Sequence, residues 1–200
     1  MARAASTRES ADFRRQSLID AAAACLAEAG VAGTSVRTIC ARAGVSPGLL
    51  RHYFDGIDDL IAATYRDVTS RVSATLLEAE DAAGPDPRER LIAFVTASFR
   101  PPIADPALLA TWLAFWSLVK TRPDIASIHG ETYRGYREGL EQLLIGCGLL
   151  SADAQPAAIA LTALVDGLWL ELSLDPSTFT PGEASAMAVR WVDSLLERPL

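Results

Sequence analysis

The sequence predicts an all-α protein of about nine helices, three in a small N-terminal head and the rest in a larger C-terminal domain. Three observations lead there. Apolar residues recur at spacings of three and four along the chain, period-two alternation is absent, and Gly or Pro punctuates the chain between the periodic segments.

Each element follows from its own residues. Leu18, Ala22, Cys25 and Ala29, supported by Ile19, Ala23 and Leu26, form one helical stripe, which Gly30 stops. Thr34-Ser35 are natural N-caps for a short second helix through Val36, Ile39, Cys40 and Ala43, and Gly44 ends it. Ser46 caps a third helix over about 47–53, with Pro47 at its first position, where a missing N–H is harmless. Asp55-Gly56 breaks the chain. A long fourth helix follows from about Asp58, with Leu60, Ile61, Thr64, Val68, Val72 and Leu76 at helical spacing, until the punctuation "AAGPDP" at 82–87. Five further helices are expected near 88–100, 105–120, 124–146, 154–174 and 181–197. The last two carry Leu161, Leu164, Val165, Leu168, Leu172, Val189, Val192 and Leu195, enough apolar surface for a four-helix seam with a second copy.

Composition narrows the function. Two hundred residues, half of them hydrophobic, suffice for a core. No uninterrupted apolar run approaches the ~20 residues of a membrane span, and the polar start "MARAASTRESADFRRQ" is unlike a signal peptide. The expectation is a cytoplasmic protein with no membrane partner. Cys25, Cys40 and Cys147 lack metal-ligand spacing, and the first two read as small core residues, so neither metal nor cofactor is expected. With only His52 and His129, and no HExxH, GxSxG, P-loop or paired-cysteine motif, no catalytic constellation is visible. The net charge of −7 is unevenly distributed. Residues 1–53 hold seven arginines against four carboxylates, and the remainder holds 11 basic and 21 acidic residues. A positive head on an acidic body implies different partners for the two parts.

The stretch "AGVSPGLLRHYF" (43–54) explains the head. Two short helices joined by the tight Ala43-Gly44-Val45 turn form a helix-turn-helix. Gly44 permits positive φ, Val45 packs back inside, and Ser46 directs the next helix outward. Gly48 allows close approach of DNA, and Arg51, His52 and Tyr53 offer a guanidinium, an imidazole and a phenol to phosphates or base edges. The plainer reading is a helical hairpin with a solvated polar face.

"GTSVRTICARAGVSPGLLRHYFDGIDDLIAATY" resembles the DNA-binding signature of the tetracycline-repressor family. It does so at Gly33, Thr34, Val36, Ile39, Ala41, Ala43, Gly44, Val45, Ser46, Gly48, Tyr53, Phe54 and Leu60. The resemblance implies a helix-turn-helix DNA-binding domain over 1–56 and a helical effector-binding and dimerisation domain over 57–200. It also implies a homodimer, paired through the last two helices, on a near-palindromic double-stranded operator. Carried over by position, Thr34, Arg37, Ser46, Gly48, Arg51, His52 and Tyr53 become DNA contacts, with Arg14 and Arg15 on the phosphate backbone. Many members have an aromatic where Arg51 stands and a Lys near Ile57, so the operator sequence is not inherited. "WLAFW" (112–116), "ETYRGYREGLEQLL" and "ALVDGLWLELSL" (163–174) resemble the C-terminal domain of choline-responsive repressors of glycine-betaine synthesis.

The body's aromatics fit such a ligand. Trp112 and Trp116 share one helix face, as do Tyr133 and Tyr136 on the next helix, and Asp166 and Trp169 on the eighth. Ring faces attract a quaternary ammonium and Asp166 adds full charge, so these six are the candidate sites for a small cationic effector. Each also has a plainer reading: aromatics at helical spacing are usually core, and Asp166 can cap or hydrogen-bond at a dimer seam. His129 reads as a surface or loop residue, or as a pH-sensing one. The rival functions are a neutral or absent effector, a nucleoid-type DNA binder, and a helical interaction protein. An acidic body bearing aromatics argues against the nucleoid type.

Overall fold

The computed structural model describes residues 2–197, with side chains from Ala11 onward, so Arg3 and Arg8 of the positive head lie outside the described side chains. The described residues form nine helices and no strand. These are α1 (Ala2–Gly33), α2 (Val36–Ala43), α3 (Pro47–Tyr53), α4 (Gly56–Ala82), α5 (Pro87–Ala97), α6 (Pro106–Leu118), α7 (Pro123–Gly146), α8 (Ser151–Leu174) and α9 (Pro181–Leu196).

The caps explain most boundaries. Gly30, at φ 60° and ψ −169°, breaks the helical path of α1 where the stripe of apolar residues ends. Ser35 and Thr38 form a capping box, each side chain accepting the other's backbone N–H. Thr34 is not the cap: its hydroxyl donates to the Gly30 carbonyl at 2.7 Å. Gly44 closes α2 in the left-handed region (φ 66°), and the Val45 N–H returns to the Cys40 carbonyl at 3.0 Å. Ser46 caps α3 by accepting from the Leu49 N–H at 3.3 Å. Two expected starts are corrected. α4 begins at Gly56, whose φ of 91° both turns the chain and opens the helix. α8 begins at Ser151, because its N-cap Leu150 has no side-chain acceptor to announce it, and Pro156 is carried inside the helix.

The chain forms two compact units. The first runs through Val68 and takes in Ala110–Ile128. Leu18, Ile19, Ala22, Cys25, Ile39, Cys40, Leu50, Phe54 and Leu60 pack as its core, with Val45 and Tyr53 against them. The two cysteines are free and buried, as small core residues. Tyr65 of α4 is fully buried, stacked on Phe115 at 4.2 Å and edge-on to Trp112 at 5.9 Å. The Thr111 hydroxyl donates to the Ala23 carbonyl at 3.3 Å, joining α6 to α1.

The second unit comprises Thr69–Leu109 and the chain from His129 onward. Leu91, Phe94 and Val95 of α5 and Leu140, Leu143 and Leu144 of α7 are buried here, with Ala184, Ala188 and Val192 of α9. Arg88 pairs with Asp193 at 2.5 Å, tying α5 to α9.

α8 has two apolar faces. Ala154, Ala158, Leu161, Val165, Trp169 and Leu172 point inward. Ile159, Ala160, Ala163, Gly167 and Leu174 point outward, with Ile159 53% and Leu174 66% exposed. This corrects four of the eight residues of the expected seam: Leu161, Val165, Leu172 and Val192 are interior residues of one chain, whereas Leu164, Leu168, Val189 and Leu195 are half-buried and the most exposed stripe of α8 runs through 159, 163, 167 and 174. Periodicity identifies an apolar helix but cannot assign its faces when both are apolar. α8 contains the one stretch among the described helices long and apolar enough to cross a membrane. Asp153, Asp166 and Glu171 interrupt its apolar run, and one of its faces is buried within the chain.

Candidate nucleic-acid interface and effector site

The head presents its charges selectively. Arg42 pairs with Glu28, so it is neutralised within the chain. Arg14, Arg37 and Arg51 are exposed and carry no ion pair among the described residues. An unpaired guanidinium on a small positive head is free to neutralise a phosphate or read a base edge. Arg15 is exposed but leans over the Phe54 ring, 5.0 Å from its centroid, which ties the middle of α1 to the end of α3. On α3, Leu50 is fully buried and anchors the helix, which turns Arg51 and His52 outward. Burying that leucine contributes roughly 2 kcal/mol to holding the helix in place. His52 sits edge-on to the half-buried Tyr53 at 5.0 Å.

Thr34 is buried, and its hydroxyl serves the α1–α2 turn. Ser46 is exposed with its oxygen engaged as a cap. Gly48 has no internal reason to be glycine: a Cβ there would meet only the Ser46 Oγ, at an ordinary 3.7 Å. A close approach of DNA to the backbone is the role the helix-turn-helix reading gives it. Gly48→Ala is therefore expected to leave the fold as stable, or up to ~1 kcal/mol more so, while weakening operator binding several-fold. Thermal unfolding beside an operator titration checks both halves, and a destabilised fold or unchanged affinity would refute it.

The second unit holds four of the six aromatic and acidic candidates. The Tyr133 hydroxyl donates to Asp166 Oδ1 at 3.1 Å, joining α7 to α8. Burial pushes the Asp166 carboxyl up to about 6, against the opposing pull of the Tyr133 hydrogen bond and the Arg137 charge. The Trp169 indole N–H donates to the Ser98 carbonyl at 2.7 Å, which locks the ring. The Tyr136 hydroxyl is buried without a hydrogen-bond partner; Ser98 lies close by but outside hydrogen-bonding geometry. Burial, and then the Asp166 charge, push the Tyr136 phenol well above its ordinary range.

Several residues were missed or misplaced by sequence reasoning. Phe94 lies 5.4 Å from the Tyr136 ring, and with Ser98 it brings α5 to the cluster; its spacing was indistinguishable from that of any core residue. His129 is not in a loop: it lies in α7, with its ring 4.2 Å from Tyr133. Burial and the Arg137 charge lower its pKa. Arg137 stands 5.9 Å over the Tyr133 ring, one turn further along α7. Trp112 and Trp116 belong to the first unit, where Trp112 packs on Tyr65 and the Trp116 indole N–H is buried without a partner.

This arrangement can bind a small polar or cationic molecule: one anionic oxygen already oriented, aromatic rings beside it, and a phenol lacking a partner. Comparison with known proteins identifies the family rather than the ligand. Residues 18–64 match the pattern of bacterial regulatory proteins of the tetR family. Residues 87–197 match the C-terminal domain of BetI-type transcriptional repressors. The HTH-type transcriptional regulator BetI of Burkholderia thailandensis is 36% identical over 186 residues, which cover 92% of this chain and 94% of that protein. A transcriptional regulator of Pseudomonas aeruginosa PAO1 is 46% identical in sequence, with a TM-score of 0.84 over 92% of this chain and 91% of its own. A regulator from Saccharomonospora viridis, solved in complex with choline, shares the fold. Its TM-score is 0.81 at 18% identity, over 91% of this chain and 96% of its own.

Proposed function

The chain belongs to the tetR family of bacterial regulatory proteins, among the repressors with a BetI-type C-terminal domain, and from that premise we propose a dimeric repressor that a small cationic effector releases from a near-palindromic operator. In this reading residues 1–56 read DNA and residues 57–200 bind the effector and pair the subunits in the cytoplasm. The outward stripe of α8, with α9 beside it, meets the same stripe of a second copy.

The observation that carries the effector class is Asp166. A carboxyl raised to about 6 is ionised at neutral pH only against its surroundings. The folded chain thus gains stability from this group below its ordinary value of 3.8, and loses it as pH rises towards about 6. A bound cation would offset that cost, and the rings of Tyr133 and Trp169 would add cation–π attraction of ~0.5–2 kcal/mol each. Arg137, poised over Tyr133, is the cation an effector would have to displace or join.

Calorimetry with choline, betaine aldehyde and the neutral isostere 3,3-dimethylbutanol tests this. The two cations should bind and the isostere should not. Choline affinity should fall about tenfold per pH unit below the Asp166 value of about 6. Asp166→Asn should abolish that pH dependence and weaken choline far more than any neutral ligand. Equal binding of the isostere would favour the second reading, a neutral effector held by Tyr136 and the aromatic walls.

A further inference from the structure

We propose that Arg122 is a positioning residue for operator recognition, gripping the junction between the recognition helix α3 and α4 without touching DNA itself. Arg122 immediately precedes α7, at the end of the α6–α7 connection, and its side chain is 20% exposed. One edge of its guanidinium is engaged by Asp124: Nε donates to Oδ1 at 3.0 Å and Nη2 to Oδ2 at 2.6 Å. The rest faces α4. Nη1 donates to Asp58 Oδ1 at 2.5 Å and Nη2 to the Asp58 backbone carbonyl at 3.2 Å. The pairing also holds the Asp124 carboxyl below its ordinary range, chiefly through the Arg122 hydrogen bond.

Such a grip is poorly explained by stability. The Asp58 side chain is 73% exposed, and ion pairs in that setting contribute little. Position is the better account. Asp58 stands in the first turn of α4, five residues after the end of α3. Between them the chain is short, and the Asp55 N–H is bound by the Asp59 carboxylate at 3.0 Å. α3 has only seven residues, so its aim depends on Leu50, on Phe54 and on how the following turn is held. Holding a backbone carbonyl fixes the turn itself, whatever the rotamer of the Asp58 side chain. A planar fork can hold Asp124 and that turn together; a lysine cannot. The guanidinium, placed between two carboxylates, is a poor phosphate ligand, unlike the unpaired Arg51.

The test uses the full chain and an operator selected by the wild type from a random duplex pool. Arg122→Ala should weaken operator binding about tenfold, with binding to unrelated duplex within about twofold and the salt slope unchanged, because no phosphate contact is lost. Arg122→Lys should recover only part of the loss. Asp58→Asn, which leaves the carbonyl contact in place, should show a smaller loss of the same kind. In the double variant Arg122→Ala/Asp58→Asn the two losses should not add. Wild-type operator affinity in Arg122→Ala would overturn the proposal. So would a salt slope flatter by about one unit, which would make Arg122 a phosphate contact, or additive losses in the double variant. Should Arg122→Ala fold poorly, Asp58→Asn and Arg122→Lys carry the same test, and full operator affinity in both would overturn it.

Discussion

Arg51→Ala is expected to weaken operator binding by about one to two orders of magnitude, the ~1–3 kcal/mol of a base or phosphate contact made by a well-placed guanidinium. The side chain is exposed, one position past the fully buried anchor Leu50, and has no ion pair among the described residues. Its removal leaves the core untouched, so the unfolding midpoint should not move. Salt dependence separates the two roles open to it. A phosphate contact flattens the slope by about one unit and weakens all sequences alike, whereas a base contact relaxes the preference at one operator position. Tyr53→Phe should have a milder effect, since the half-buried ring also packs against the head's core. Unchanged affinity for Arg51→Ala would remove α3 from the major groove.

Ala163→Glu is expected to abolish dimerisation and, with it, high-affinity operator binding. Ala163 lies on the outward stripe of α8 with Ile159 and Gly167, and is exposed in the single chain, so a glutamate there is tolerated by the fold. Buried against a second copy, an unpaired carboxylate costs several kcal/mol, on the order of 3–5 when no partner answers it. Gly167 has open space where a Cβ would stand, which leaves room for close approach of another helix. Sedimentation and circular dichroism distinguish the outcomes: a folded monomer supports the α8 interface, and a folded dimer moves it elsewhere. Val192→Glu would answer a different question, because Val192 is fully buried within one chain and its loss would report on the fold.

The head was legible in the sequence because its signals are local. Ser35, Gly44, Ser46 and Pro47 act on backbone groups within four residues of themselves, so each boundary they set could be placed without a tertiary neighbour. The α8 start was missed for the complementary reason: Leu150 supplies no cap to read. The aromatic candidates were legible as types and spacings, but their partners were not. Tyr133 could have packed anywhere along α7; that it meets Asp166, 33 residues away, is decided by how α7 packs on α8.

What the sequence determined by itself was the all-helical class, the turn chemistry of the helix-turn-helix, the positive head and the family. The first three rest on periodicity, capping and charge, which act over one or two helical turns; the family rests on the resemblance of residues 33–65 to a known signature. Only the tertiary structure decided which apolar face of α8 is covered and which charges of the head are neutralised. It alone grouped Trp112 with Tyr65 and the Ala110–Ile128 segment with the head. Those outcomes depend on contacts between residues far apart in the chain, Arg122 with Asp58 and Trp169 with Ser98 among them. An apolar or charged side chain specifies that it must find a partner, but the packing of whole helices selects which one.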